Sequence, residues 1–241
     1  MGKVVIGVCG RKRAGKDEVA KALEVLGFRR AAFADPLKRM VYRTFNVKYN
    51  QLYGDDKEVR FRLSDRMSRV DLVRDATEAV LHAYGLRDIS SQGLRAAEER
   101  WSMPPERVVS VYVAECLAMY DRGGMTSGRQ LLQQIGTDIC REKIHDLTWV
   151  RATMEPIEQS DHERWIISDT RAASEFQAIR SANGISGIIR VDRPSLGSQS
   201  DFHVSEVEWQ SLRVDAVLEN DFTVEALHDM ARRAVLDIIE R

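Results

Sequence analysis

The chain has 241 residues, of which 44% are hydrophobic and 30% are charged. This composition is that of a globular protein, and the length allows one large α/β domain with a full hydrophobic core. The formal net charge of −1 argues against a basic surface for nucleic acid or membranes, and no stretch approaches the ~18 apolar residues of a membrane helix. Three scattered cysteines give neither a disulfide framework nor a CxxC metal pair, which fits the reducing cytoplasm.

The chain begins with a predicted buried strand over residues 4–9, a continuous apolar run. A glycine- and arginine-rich loop follows, and helical periodicity then continues to Gly27. The loop matches the first seven positions of the Walker A pattern, in which glycines let the backbone surround a phosphate and a lysine reaches the β- and γ-phosphates. A tight turn with solvated basic residues is the alternative. The predicted ATP-binding residues of this segment are Gly10, Arg11, Lys12, Arg13, Ala14, Gly15, Lys16 and Asp17.

Asp17 stands where the Walker A pattern usually has the Ser or Thr that contacts magnesium. A carboxylate at this position can still hold Mg²⁺, directly or through water. It can equally be an acid in the first turn of a helix, where the helix dipole favours negative charge. The residues alone leave both interpretations open.

The next predicted elements are a short strand over residues 30–33 and a helix that ends near Phe45. Asp35 and Pro36 indicate the start of this helix, as N-cap and first helical residue. Residues 46–126 contain no good strand, and we interpret them as a helical insertion over the site.

Within the insertion we predict helices over residues 70–84 and 108–120, whereas residues 85–105 are polar and irregular. Charged residues crowd between 46 and 69. The insertion could close as a lid and supply an arginine to the site, or these arginines could lie on a solvated face of mixed charge. The candidates are Arg60, Arg62, Arg66 and Arg69.

Two helices are predicted over residues 127–144 and 149–157, and the apolar run that follows ends at Asp169, which has the form of a Walker B strand. Asp169 would then lie at the carboxyl edge of the sheet, beside the loop. The alternative is structural: Asp169 caps the next helix, and Arg171 pairs with Glu175 four residues later.

The C-terminal third continues the alternation, with predicted strands over residues 185–191 and 214–218 and a helix over residues 224–239. Buried strands that alternate with helices predict an α/β fold with a central parallel sheet covered on both faces. Ligands of such sheets bind beyond the carboxyl ends of the strands.

Several segments together resemble bacteriophage deoxynucleoside monophosphate kinases, in order from residue 4 to about residue 235, with a poor match over 46–126. Their cradle pattern GxKRSGKD includes the aspartate found here as Asp17, and their GPIK-type helix start is similar to residues 35–38. Residues 129–138 resemble their RxLxQxxGTD helix, and a Trp-Val pair follows at similar spacing. Residues 168–171 match their DTR motif, and residues 201–206, with His203, resemble their D-x-H-x-[ST]-E segment.

The resemblance implies a three-layer P-loop kinase fold for residues 1–241, in which residues 46–126 form the insertion. It implies transfer of the γ-phosphoryl group of ATP to a deoxynucleoside monophosphate, with Mg²⁺. Such transfer needs alignment and several cations that neutralise negative charge. It also implies a homodimer, and the host cytoplasm if the chain is phage-encoded.

The resemblance assigns roles to single residues. Lys38, Arg129 and Arg171 would hold the monophosphate, and the loop near Arg193 would face the ATP base. The implied substrate-binding residues are Lys38, Arg69, Arg129, Gly136, Thr137, Trp149, Asp169, Thr170, Arg171 and Glu175. The implied catalytic residues are Lys16, Asp17, Arg129, Asp169 and Arg171, with Asp17 as the metal ligand.

Other functions share part of this pattern. Animal-type phosphomevalonate kinase has the same cradle and the same SDTR strand end, but the GTD helix and the longer insertion favour a nucleotide kinase. A phage kinase that acts on hydroxymethyl-pyrimidine in DNA is a second alternative, although the near-neutral charge argues against a long DNA track. A nucleotide-binding regulatory module without turnover is the third alternative. The presence of the acids Asp17 and Asp169 together with several basic residues argues against it. These basic residues are Lys16, Lys38, Arg129 and Arg171.

Overall fold

The computed structural model describes residues 2–88, 90–196 and 208–241. The segment over residues 201–206, with His203, lies outside this part of the chain. The chain forms two compact units. The first unit comprises the chain up to Phe33 and from Thr153 onward, and the second comprises Ala34–Ala152. The single domain and the insertion over residues 46–126 stay predictions.

The strands of the described residues are β1 (Lys3–Gly10), β2 (Arg29–Ala31), β3 (Arg60–Phe61), β4 (Thr126–Ser127), β5 (Arg164–Ile167), β6 (Gly184–Asp192) and β7 (Ala216–Glu219). The helices are α1 (Lys16–Glu24), α2 (Ala34–Phe45), α3 (Tyr49–Leu52), α4 (Arg69–Ala83), α5 (Ser91–Trp101), α6 (Pro105–Arg122), α7 (Gly128–Gln133), a π-helical segment (Gln134–Ile144), α8 (Thr148–Gln159), α9 (Ala173–Arg180) and α10 (Val224–Ile239). Short 3-10 helices lie at Asp56–Glu58, Leu63–Asp65, Pro194–Leu196 and Glu208–Ser211.

The first unit contains a five-stranded sheet in the order β2-β5-β1-β6-β7, and all neighbouring strands are parallel. β1 is buried along almost its whole length, because it is apolar and central. Ile6 and Val8 pack into a core with α1 and α10. A Cβ at Gly7 would contact Ile179 of α9, which covers the opposite face. The predicted α/β fold with a parallel sheet between helices is therefore confirmed, as are the five predicted strands.

The second unit is mostly helical and has its own core, in which Phe45, Leu72 and Tyr112 are fully buried. β3 and β4 form a small antiparallel ladder, so the prediction that residues 46–126 contain no good strand was wrong for Arg60, Phe61 and Thr126. None of the described helices has the length and apolar content that a membrane span needs.

Residues 85–105 were predicted to be irregular, but α5 lies in this stretch. Ser90 caps α5 by accepting a hydrogen bond from the backbone N–H of Gly93 at 3.0 Å. Ala97 and Trp101 are its buried residues, and the polar residues around them hid the pattern. The Trp101 indole N–H donates to the carbonyl of Tyr84 at 2.9 Å, which anchors α5 to the core of the second unit.

The predicted helices at 35–45 and 127–144 are present with changed details. α2 begins at Ala34, two residues before the predicted first helical residue Pro36, so Asp35 lies in the first turn and does not cap the helix. The helix from residue 128 continues as wide π turns from Gln134 to Ile144, and His145 donates its backbone N–H to Cys140 at 2.8 Å. The GTD residues lie in these turns, and π turns occur frequently at functional sites.

Candidate active site

The loop after β1 has the backbone of a phosphate cradle. Gly10, Arg13 and Gly15 have φ angles of 142°, 67° and 106°, which glycine adopts without strain at two of the three positions. A Cβ at Gly10 would collide with the carbonyl of Val191 on β6, so this position requires glycine. Ala14 donates its N–H to Arg11 at 3.1 Å and closes the turn before α1 begins at Lys16. The loop therefore leads into a helix N-terminus, where the dipole favours anions.

Lys16 extends over this loop. Its ammonium group donates to the carbonyls of Gly10 at 2.8 Å and Arg11 at 2.7 Å. Lys12 and Arg13 are exposed on the same loop. The structure thus brings the cations predicted from the Walker A pattern to one backbone turn.

Asn220 contacts the phosphate loop and was not singled out from the sequence. It directly follows β7, and its backbone N–H donates to the carbonyl of Asp192 at 2.7 Å. Its side-chain amide donates to the carbonyl of Ala14 at 2.7 Å, and a Cβ at Gly15 would meet that amide. Asn220 therefore fixes the loop backbone from the end of β7, which is separated from β1 by β6 in the sheet.

Arg193, the residue predicted to lie near the ATP base, borders the phosphate loop. Its guanidinium donates to the carbonyl of Arg13 at 3.4 Å and is exposed. Ser195 in turn donates its N–H to the carboxylate of Asp221 at 3.2 Å, so the segments after β6 and β7 contact each other. The role of Arg193 toward a base stays a prediction.

Asp17 has a partner that the sequence did not indicate. Its carboxylate, 72% exposed, forms an ion pair with Arg30 of β2, and the Arg30 guanidinium also donates to the Ser168 hydroxyl at 3.1 Å. The described residues contain no cluster of three or more His, Cys, Asp or Glu that could hold a metal ion. Magnesium sites that use one or two carboxylates and substrate phosphates need no such cluster, so Asp17 remains compatible with both interpretations.

The turn after β5 is rigidly held. The carboxylate of Asp169 accepts the backbone N–H of Phe33 at 2.7 Å. Thr170 is fully buried. Its hydroxyl donates to the carbonyl of Ile167 at 3.3 Å, and its N–H donates to the carbonyl of Val8 at 3.1 Å. The Glu175 carboxylate, 5% exposed, accepts the N–H of Arg171 at 2.7 Å. It also accepts the next N–H at 3.1 Å, so it caps α9.

Thr170 and Glu175 thus shape the turn that carries Arg171. Their predicted contacts with substrate stay predictions, because the structure engages both side chains within the protein. The residues that the first unit brings to the carboxyl edge of its sheet are the loop with Lys16 and Asp17, then Asp169, Arg171, Arg193 and Asn220. This is the edge at which parallel sheets bind ligands.

The second unit carries the other predicted cations. Lys38 lies over the ring of Tyr53, with 4.8 Å from its ammonium to the ring centroid. Arg129 is exposed on α7 and forms an ion pair with Glu58. Arg69, which is also exposed, forms an ion pair with Asp121 at 3.2 Å, near the C-terminal end of α6. Lys38 and Arg129 are therefore accessible cations of this unit, each with a weak surface partner.

The residues predicted to contact the sugar and the base differ in their exposure to solvent. Thr137 is exposed. Gly136 is buried against Leu37, and Trp149, 3% exposed, donates its indole N–H to the carbonyl of Gly136 at 2.9 Å. In this arrangement Trp149 is a core residue that fixes the π-helical segment. Its predicted contact with a base stays a prediction.

Comparisons with known proteins identify the family of this chain. The sequence profile of the family described as deoxynucleotide monophosphate kinase matches residues 4–230. A protein of Acanthamoeba polyphaga mimivirus, provisionally named deoxynucleotide monophosphate kinase, is 26% identical over 93% of this chain and 92% of its own length. The deoxynucleoside-5′-monophosphate kinase of Escherichia phage T5 is 24% identical over 75% of this chain and 73% of its own. The chain belongs to the deoxynucleotide monophosphate kinase family.

Proposed function

We propose that the chain transfers the γ-phosphoryl group of ATP to the 5′-phosphate of a deoxynucleoside monophosphate, which gives the diphosphate and ADP. The observation that carries the proposal is the lysine-covered loop: Lys16 lies across the carbonyls of Gly10 and Arg11 at the N-terminus of α1. The family to which the chain belongs supplies the acceptor class.

The loop can bind the donor. Gly10 and Gly15 adopt the positive φ angles that the turn requires, and the start of α1 presents N–H groups and the positive end of the helix dipole. On triphosphate binding, Lys16 would exchange the two carbonyls for phosphate oxygens, a stronger charged partner. Asp17 would hold Mg²⁺, whose charge would offset the negative charge of the transferred phosphoryl group.

The acceptor is held by cations. We assign Lys38, Arg129 and Arg171 to the monophosphate, because an arginine fork matches a phosphate with two parallel hydrogen bonds. An oxygen of the monophosphate attacks the γ-phosphorus, and the bond to the β–γ bridging oxygen breaks. The protein contributes alignment and charge, and Asp169, held by the N–H of Phe33, orients the turn that carries Arg171.

A coupled assay of ADP release tests the proposal. Wild-type protein is offered Mg-ATP with each of four deoxynucleoside monophosphates, with ribonucleoside monophosphates, with phosphomevalonate and with DNA that contains hydroxymethyl-pyrimidine. Turnover of at least one deoxynucleoside monophosphate supports the assignment. Turnover of phosphomevalonate or DNA alone would replace it by the corresponding alternative, and binding of ATP without any turnover would indicate a regulatory module. The homodimer and the cytoplasmic location stay predictions.

A further inference from the structure

Lys38, one of the cations that we assign to the acceptor phosphate, is contacted by an aromatic ring. Its ammonium lies 4.8 Å from the centroid of the Tyr53 ring. None of the carboxylates in the described residues forms an ion pair with this ammonium, although Asp35 lies three residues earlier on α2. A ring attracts a cation without neutralising its charge, whereas a carboxylate would compete with a phosphate for it. The contact therefore holds Lys38 and leaves its charge available.

The Tyr53 ring is itself held in place. The ring of Tyr49 stacks on it, with centroids 4.5 Å apart and planes inclined by 12°. The backbone N–H of Tyr53 donates to the carbonyl of Tyr49 at 2.9 Å, and the preceding residue, Leu52, is fully buried. Burial, and after it the Asp35 carboxylate, raises the pKa of Tyr53. The phenol therefore stays neutral at physiological pH and does not form an ion pair with Lys38.

The short helix α3, which Tyr53 directly follows, packs between two elements of the second unit that carry acceptor cations. It contacts α2, which carries Lys38, and α7, which carries Arg129. The contact with α7 is close, because a Cβ at Gly128 would collide with the carbonyl of Gln51. Gln51 is 3% exposed. Tyr53 therefore reaches Lys38 from a helix that is packed on both sides.

The contact can lower the free-energy cost of binding a phosphate. A lysine side chain is flexible, so fixing it in one geometry costs conformational entropy, and a contact already made in the free protein reduces that cost. The ammonium has three N–H donors, and one that faces a ring leaves others for phosphate oxygens. The ring and a phosphate can therefore hold Lys38 at the same time.

We propose that Tyr53 is a positioning residue, which holds Lys38 in place for the phosphate of the deoxynucleoside monophosphate. This role rests on the proposed function. It adds a residue to the acceptor site and leaves the contacts implied for Gly136, Thr137 and Trp149 as they are.

Steady-state kinetics of Tyr53→Leu and Tyr53→Phe tests this role, because leucine removes the ring and phenylalanine removes only the hydroxyl. We expect the KM for the monophosphate to rise by roughly 3–10-fold in Tyr53→Leu and by less than about twofold in Tyr53→Phe, with kcat and the KM for ATP little changed. Tyr42→Leu is the matched control and should match wild type. Tyr42 is exposed, lies one turn after Lys38 on α2, and has no ring or cation contact among the described residues. An unchanged or lower KM in Tyr53→Leu, or an equal rise in both Tyr53 variants, overturns the proposal.

A double-mutant cycle separates positioning from a structural effect. In the Lys38→Met background, Tyr53→Leu should change kcat/KM for the monophosphate by less than about twofold, because the ring has no ammonium to hold. The same loss in both backgrounds would show that Tyr53 acts independently of Lys38, and this result also overturns the proposal.

Two binding measurements decide the matter when kinetics cannot. In NMR spectra of the wild type, the ring current of Tyr53 should shift the Hε protons of Lys38 upfield, and the shift should persist when the monophosphate is added. Its loss on binding would show that Lys38 leaves the ring, whether or not Tyr53→Leu folds. If the wild type binds monophosphates without phosphorylating them, the proposed function fails, and calorimetric affinities decide the role of Tyr53. Weaker binding by Tyr53→Leu than by Tyr53→Phe supports it, equal binding refutes it, and a wild type that binds no monophosphate refutes both.

Discussion

The side-chain amide of Asn220 donates to the carbonyl of Ala14 at 2.7 Å, so the residue that directly follows β7 fixes the backbone of the phosphate loop. Asn220→Ala leaves this carbonyl without its partner and loosens the loop. We expect the affinity for a non-hydrolysable ATP analogue to fall by roughly 5–30-fold, which corresponds to about 1–2 kcal/mol. Titration calorimetry measures the change, with the exposed neighbour Glu219→Gln as control. Unchanged affinity in Asn220→Ala would show that the loop does not depend on this bond.

Asp17 and Arg30 allow the two interpretations of Asp17 to be separated. Because their ion pair is largely exposed, either substitution should change stability by less than about 1 kcal/mol. If Asp17 holds Mg²⁺, Asp17→Asn raises the Mg²⁺ concentration for half-maximal rate several-fold, whereas Arg30→Ala lowers it by removing a competing cation. Mg²⁺ titration of the rate measures both. The same Mg²⁺ dependence in wild type and both variants would identify Asp17 as a first-turn helix acid.

Arg129 and Arg171 should act on the acceptor more than on the donor. We expect Arg171→Ala and Arg129→Ala each to raise the KM for the monophosphate by roughly tenfold or more, while the KM for ATP changes little. Arg95→Ala, which removes an exposed arginine of α5, controls for loss of charge alone. Steady-state kinetics with each substrate varied in turn separates the effects. Equal losses for both substrates in Arg171→Ala would remove its acceptor role.

The sheet of the first unit was predictable, because central parallel strands are continuous apolar runs that short windows of sequence reveal. α5 was not, since only Ala97 and Trp101 of its residues are buried and the rest read as a polar loop. The π turns after Gln133 escape a search for 3.6-residue periodicity. Asn220 lies 206 residues from Ala14, and an Asn after a strand indicates only a turn.

The candidate site, too, was predictable from the sequence only in part. The loop with Lys16 is local and carries its own pattern, so its backbone could be expected from the sequence. Asp17 is paired with Arg30, and Asp169 accepts the N–H of Phe33. Both contacts depend on which strands become neighbours, because they need β2 to lie beside β5. The burial of Trp149 likewise depends on packing, because an amphipathic helix presents a tryptophan to core and ligand alike.

The buried thiols predict a stability that declines in alkali. Burial raises the pKa of Cys9 and Cys140 to about 12 from 9.0, and it raises the pKa of Cys116 as well. The folded state therefore keeps these protons when the unfolded state has lost them. The stabilisation is complete below pH 9 and is lost as pH rises toward 12. Urea unfolding should give a lower free energy at pH 10 than at pH 8.

Thiol labelling checks the same feature independently. At pH 8 the native protein should react with Ellman's reagent at fewer than one thiol in minutes, and the urea-unfolded protein at all three. Rapid labelling of the native protein would contradict the burial of these thiols. A free energy of unfolding that is equal at pH 8 and pH 10 would contradict the pKa shifts.

Transfer of labelled phosphate tests the central claim most directly. Wild-type protein, Lys16→Ala and Lys21→Ala are each incubated with γ-³²P-ATP, Mg²⁺ and single deoxynucleoside monophosphates, and the nucleotides are separated. Lys21 lies on α1 beyond the loop and pairs with Glu18, so it serves as control. We predict labelled deoxynucleoside diphosphate from wild type and Lys21→Ala, and a rate lower by roughly a hundredfold or more in Lys16→Ala. No labelled diphosphate from folded wild type, or equal rates in wild type and Lys16→Ala, would contradict the account.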